Sequence, residues 1–351
     1  MHPEKIGSVM ELTDFKAKLK SGDPSGWYIF SGEEDYLKKY YLTQLRNTIV
    51  TDGAFALFNH ATFDGPEVDF GALRDAISSP PMMSDYKLVE WKFANIEAMK
   101  EGEKKALEAL FPLREEHPDT IFAIMTTLDG LDVGTQKRPS KLSTRLAAGF
   151  DIVNFEKSTD SQLLSWLKKH FDAEGVSVNA PTLQALIFRS GRSMDVLNNE
   201  VIKLASYAKA NDLTAVTEKE VEEIASPTVE CDAFALSNAV IEKNLAKAFT
   251  ALTDLKARRV EPQVIIAMLE RVYADLAAVS LLLAEGKGSS DVETLLKLHP
   301  FKAKLYIGAA KKIGARKLAL ALDSLRHIDA SSKSGGMTGY GTVEMFITQN
   351  L

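Results

Sequence analysis

The stretch Ser31-Gly32-Glu33-Glu34-Asp35-Tyr36-Leu37-Lys38 follows the apolar run Trp27-Tyr28-Ile29-Phe30 and opens a helical pattern. A turn between a buried strand and a helix is where phosphates are cradled, by glycine amides and a lysine spaced as GxxxxGK[ST]. This turn offers one glycine and three carboxylates. Three like charges on one turn repel a triphosphate, each pair at about 6 Å costing a noticeable fraction of a kcal/mol even in water. The plainer reading of Glu33, Glu34 and Asp35 is helix-start acids, favoured by the dipole. No strand ends in the paired acids that hold magnesium, the third one ending in Glu90-Trp91-Lys92-Phe93. Neither a nucleotide cofactor nor catalytic residues are expected.

A second stretch suits binding better than reaction. In Ser78-Ser79-Pro80-Pro81-Met82-Met83-Ser84-Asp85-Tyr86-Lys87, two prolines stop a helical pattern (Phe70, Leu73, Ile77) and two thioethers follow before a strand begins. Adjacent residues on such a turn diverge by roughly 100°, so Met82 and Met83 do not both face one core easily. Spacing alone leaves two readings open. One makes them core plugs at a helix-to-strand turn, and the other makes at least one of them a flexible, polarizable contact for a partner's apolar pocket.

Other chemistries are thinly represented. Cys231 is the sole cysteine, which excludes an internal disulfide and multi-cysteine metal sites. The six histidines show no HExxH spacing, so no metal site is expected. Lys302, Lys304, Lys311, Lys312, Arg316 and Lys317 form a basic stripe without an intervening acid. Residues 226 to 351 hold 16 Lys and Arg against 13 Asp and Glu, although the whole chain carries −6. Such a stripe lies along phosphates in some proteins and is a solvated face or a protein contact in others. The overall negative charge disfavours a free-standing nucleic-acid binder.

The supporting elements follow from length and period. At 351 residues the chain exceeds one ordinary core, and 45% hydrophobic with 26% charged residues is a globular composition. Strands are expected at Trp27–Phe30, Phe58–Phe63, Leu88–Phe93, Thr120–Met125 and Asp151–Phe155, separated by helical patterns, which predicts a parallel sheet over residues 1–155. No strand is expected after Ser158. Asn179-Ala180-Pro181 starts one helix there, and Thr217-Glu218-Lys219-Glu220 has capping-box spacing. The fold class is therefore α/β plus all-α, with a small helical domain at 156–227 and a larger one at 228–351. No apolar run is long enough to span a membrane. Glu4, Lys5 and Glu11 replace a signal core, so the cytoplasm is the expected location.

Five stretches together carry a family resemblance: Tyr28–Leu37, Pro81–Val89, Ser190–Leu204 (beginning Ser190-Gly191-Arg192-Ser193-Met194), His299–Lys304 and Asp329–Gly335. In order and spacing they resemble the delta subunits of bacterial DNA polymerase III clamp loaders. The resemblance implies a degenerate AAA+ (RecA-like) domain, a helical lid and a helical collar that oligomerises. It also implies a subunit that does not hydrolyse ATP but grips the beta sliding clamp and holds one clamp interface open. Delta prime, tau/gamma and primed DNA are the further partners implied. In the family an adjacent apolar pair enters a pocket on the clamp, and the matching positions here are Met82 and Met83. A Leu-Phe or Phe-Phe pair is commoner there, so Met-Met is a departure that implies a weaker grip. Sister subunits bring a cysteine zinc module and a Ser-Arg-Cys motif, whereas Cys231 stands between Glu230 and Asp232.

Overall fold

The computed structural model describes residues 9–50, 56–135, 138–334 and 338–350. Glu4, Lys5 and Gly335, used in the reading above, lie outside the described residues. The chain separates into two compact units, Met1–Thr159 and Asp160–Leu351.

Among the described residues of the first unit, six strands form one parallel sheet: β1 (Val9–Met10), β2 (Trp27–Ser31), β3 (His60–Asp64), β4 (Lys87–Ala94), β5 (Thr120–Thr126) and β6 (Asp151–Asn154). Their order is β1-β6-β2-β5-β4-β3, with Ile29 of β2 paired to Ile152 on one side and Ile124 on the other. Side chains alternate across a strand, so each apolar run feeds two cores. Trp27, Ile29, Val89, Trp91, Phe122 and Ile124 pack on one face with Leu73, Ile77, Leu107 and Leu146 from helices. Tyr28, Phe30, Leu88, Ile121 and Val153 pack on the other with Phe15, Leu42 and Leu45. A sheet buried on both faces accounts for the uninterrupted apolar runs.

Two sequence-based expectations are corrected and one is met. Phe58 and Asn59 are not strand: they close a helical turn, Ala56–Asn59, and pairing with β4 begins at His60 opposite Leu88. The Asn59 side chain is committed to a hydrogen-bonding task described below, and that turns it out of the ladder. The strand expected at Leu88–Phe93 is present as β4, with Glu90 buried in mid-strand and an irregularity after Lys92 that leaves Phe93 at φ 62°. After Ser158 two short strands do occur, Ser177–Val178 and Ala215–Val216, paired in parallel.

The second unit is otherwise helical. Asn179 caps the helix Ala180–Ser190 by accepting from the Thr182 amide at 2.9 Å, and Thr217 with Glu220 forms a capping box. At Gly191 (φ 85°) the first of these helices ends against the segment 225–228. Arg189 Nε donates to the Ala225 carbonyl at 2.6 Å, Ser190 Oγ to that of Ser226 at 2.8 Å, and the Thr228 amide to that of Arg189 at 2.7 Å. Among the described residues, seven helices from Val229 to Asn350 then bury Leu236, Leu252, Leu269, Val272, Tyr306, Leu325 and Phe346 in one core. No helix among the described residues is long and apolar enough to cross a membrane.

Candidate partner-binding site

The methionine turn is exposed and firmly held. The helix Phe70–Ser78 is capped at its start by Asp69, whose carboxylate accepts from the Gly71 amide at 2.8 Å. At its other end Ser79 is extended (ψ 135°), because a residue before proline is excluded from helical geometry. The orphan carbonyls there are satisfied by Lys87, whose buried ammonium donates to the carbonyls of Ala76 and Ser79 and to Ser79 Oγ at 2.6 Å. A cation at a helix C-terminus complements the dipole, while burial pushes the Lys87 pKa below its ordinary value.

Met82 is held from the other side. Its amide donates to Asn59 Oδ1 and its carbonyl accepts from Asn59 Nδ2, both at 2.7 Å, and Asn59 is itself buried. Met83 follows at φ 53°, a left-handed conformation that a side chain of this size adopts at a cost of about 1–2 kcal/mol. Its side chain is 84% exposed and that of Met82 is 44% exposed. Neither residue is a core plug: both are exposed.

The turn at the phosphate position is filled by the protein itself. Gly32 lies at φ 105°, and a Cβ there would come 2.4 Å from the Phe155 carbonyl oxygen. That carbonyl accepts from the Glu34 amide at 3.0 Å, and the Phe155 amide donates to Ser31 O at 2.7 Å. Lys38 is fully buried, donating to Thr126 O at 2.9 Å and pairing with Asp35 Oδ1 at 2.8 Å. The amide and the ammonium that an anion needs both have internal partners.

The basic stripe is divided. Lys302 pairs with Glu230 at 2.7 Å and Asp275 at 3.6 Å and lies over the Tyr306 ring; Lys312 pairs with Glu242 at 2.7 Å. Lys304 and Lys311, seven residues apart and so on one helical face, are exposed and make no ion pair among the described residues. Arg316 and Lys317 are exposed in the first turn of the next helix, Ala315–Lys333.

Two features escaped the sequence reading. One is the position of Leu57 and Phe58, exposed on the turn whose Asn59 holds Met82. The other is Glu90, whose carboxylate accepts from Arg46 Nε and Nη2, each at 2.7 Å, with His60 Nε2 at 3.3 Å. Burial alone would raise the Glu90 pKa, but the hydrogen bonds from His60 and Arg46 outweigh it and hold it below the usual carboxylate range. Neither was legible, since Asn59 to Met82 and Arg46 to Glu90 are long-range pairings without a local spacing.

Comparison with known proteins gives this geometry a family. A model described as DNA polymerase III, delta subunit, matches residues 28–150, and one for the C-terminal domain of the same subunit matches residues 230–350. The DNA polymerase III subunit delta of Bacillus subtilis (strain 168) is 23% identical over 343 residues, which is 96% of each chain. The solved structure of a Bacillus subtilis DNA clamp loader delta protein superposes with a TM-score of 0.55 at 21% identity, covering 96% of this chain and 98% of the other. That likeness bears on the fold alone, a parallel-sheet domain followed by helices. With two models of one subunit matching most of its length, this chain belongs to the DNA polymerase III delta-subunit family.

Proposed function

We propose that the chain acts within a clamp loader by binding the beta sliding clamp through Met82 and Met83 and holding one clamp interface open. The observation that carries this reading is an adjacent pair of exposed thioethers on a turn fixed from both sides, by Asn59 and by Lys87. Burying two such side chains is worth roughly 3–6 kcal/mol gross, less the cost of ordering them. Fixing the turn in advance reduces that cost. A contact of this size opens a ring by binding the opened interface better than the closed one, shifting the equilibrium by that difference. No covalent step is involved.

ATP hydrolysis is assigned elsewhere in the loader, a reading supported by the internal partners of Glu34 N–H and Lys38. The chain is read as three parts, a clamp-binding domain to about 155, a lid to about 227, and a collar that assembles with delta prime and tau/gamma. Contact with primed DNA falls to Lys304, Lys311, Arg316 and Lys317, whereas Lys302 and Lys312 already serve carboxylates. The test is surface-plasmon binding of the purified chain to the cognate clamp without nucleotide, beside the M82A/M83A double variant. Binding lost in the variant alone supports the reading; equal binding by both sinks the site, and a requirement for ATP sinks the nucleotide-independent mechanism.

A further inference from the structure

Two methionines make a small interface. A specific protein contact buries about 800 Å² on each partner, with several anchors clustered at its centre. Leu57 is 89% exposed and Phe58 60%, so Leu57 and Met83 are the two most exposed large apolar residues among those described. They are not scattered. Leu57 and Phe58 belong to the helical turn Ala56–Asn59, and the last residue of that turn is joined to Met82 by two hydrogen bonds of 2.7 Å. A side-chain amide bonded to both the N–H and the C=O of one residue fixes position and rotation together. The apolar residues of the two segments are thus presented by one support, and the following strand β3 anchors that support through its ladder with β4.

We infer that Leu57 and Phe58 are a second pair of anchors for the same partner, extending the Met82–Met83 contact into one four-residue apolar surface. This rests on the clamp-binding reading and names the part of the chain that completes it. The occupant follows from continuity: Asn59, the last residue of the turn that carries Leu57 and Phe58, holds Met82 directly, so the partner that takes Met82 and Met83 is the one this turn would meet. Asn59 is a positioning residue, acting through the backbone of Met82.

The test is surface-plasmon binding of the full chain to the immobilised cognate clamp, comparing wild type, L57S/F58S and M82A/M83A, with thermal unfolding of each. L57S/F58S should weaken binding about tenfold or more with its melting temperature unchanged. Wild-type affinity in L57S/F58S, with binding lost in M82A/M83A, overturns this inference and leaves the clamp reading standing. Wild-type affinity in both variants overturns both. As an independent measure, the photocrosslinking residue p-benzoylphenylalanine placed at position 58 should capture the clamp on irradiation, and failure to capture it while binding persists overturns the inference even where L57S/F58S folds poorly.

Discussion

The Lys38 ammonium donates to the Thr126 carbonyl at 2.9 Å, 88 residues away in sequence, and so ties the start of the helix Asp35–Ile49 to the end of β5. A lysine so placed is structural. Lys38→Ala leaves a buried carbonyl without its donor and should cost about 1–3 kcal/mol in urea unfolding. Titration of the wild-type chain with magnesium-ATP should release no heat beyond dilution. Saturable binding in the calorimeter would contradict the internal use of this turn.

Gly32 gives a sharper test of the same region. An alanine there combines φ 105° with a Cβ pressed against the Phe155 backbone. A loss on the order of 2–4 kcal/mol is expected, since neither the dihedral nor a backbone oxygen yields readily. Gly22 is also left-handed, at φ 76°, but has open space around it, so Gly22→Ala should cost only about 1 kcal/mol. Equal costs at the two positions would argue against the close approach.

Glu90 should make stability depend on pH. Its folded pKa lies below the ordinary glutamate value, so the stabilisation is complete above about 4.3 and is lost as pH falls through the folded value. Glu90→Gln at pH 7 leaves Arg46 without its carboxylate, at about 3 kcal/mol, the low end for breaking a buried pair because Arg46 is partly exposed. Urea melts of the two proteins should converge as pH is lowered below about 4.3. A gap of constant size would show that the charge is not the cause.

Cys231 is buried, and burial pushes its thiol pKa up to about 11. Because the thiolate is the reactive form, a chromogenic disulfide reagent at pH 8 should label the folded chain far more slowly than the urea-unfolded one. Comparable rates would place the thiol at the surface.

The charges on the helices Pro300–Ile313 and Ala315–Lys333 should separate by partner. Lys304→Glu with Lys311→Glu changes stability within about 0.5 kcal/mol and lowers the salt slope of DNA retention by the assembled loader by about 2. Lys302→Ala should instead destabilise the chain, because Glu230 and Asp275 lose their shared cation. An unchanged salt slope in the double variant would remove DNA from the role of this face.

Much of the first unit could be read from the amino acids because its sheet is covered on both sides. Trp27–Phe30 and Thr120–Met125 have no helical period and cannot be mistaken for surface. Phe58-Asn59 was misread for a physical reason: an apolar residue two places before an alternating segment looks like strand, and only Met82, 23 residues on, explains why Asn59 turns away. Met82 and Met83 were legible as a turn from the prolines, but their exposure goes with a turn that Lys87 and Asn59 hold by hydrogen bonds from outside it. Residue type likewise does not distinguish Lys302 from Lys304; which of them meets Glu230 is decided by helix packing.

The crevice closed by Phe155, Glu34 and Lys38 bears on timing. A fold that takes its phosphate from solution alternates between loaded and empty forms, and each exchange resets its shape. Here that position is taken by the Phe155 carbonyl of the same polypeptide, which the Glu34 amide already holds. On the proposed reading such a subunit keeps no clock of its own: the other members of the assembly cycle, and it serves as the stationary jaw against which their movement is measured.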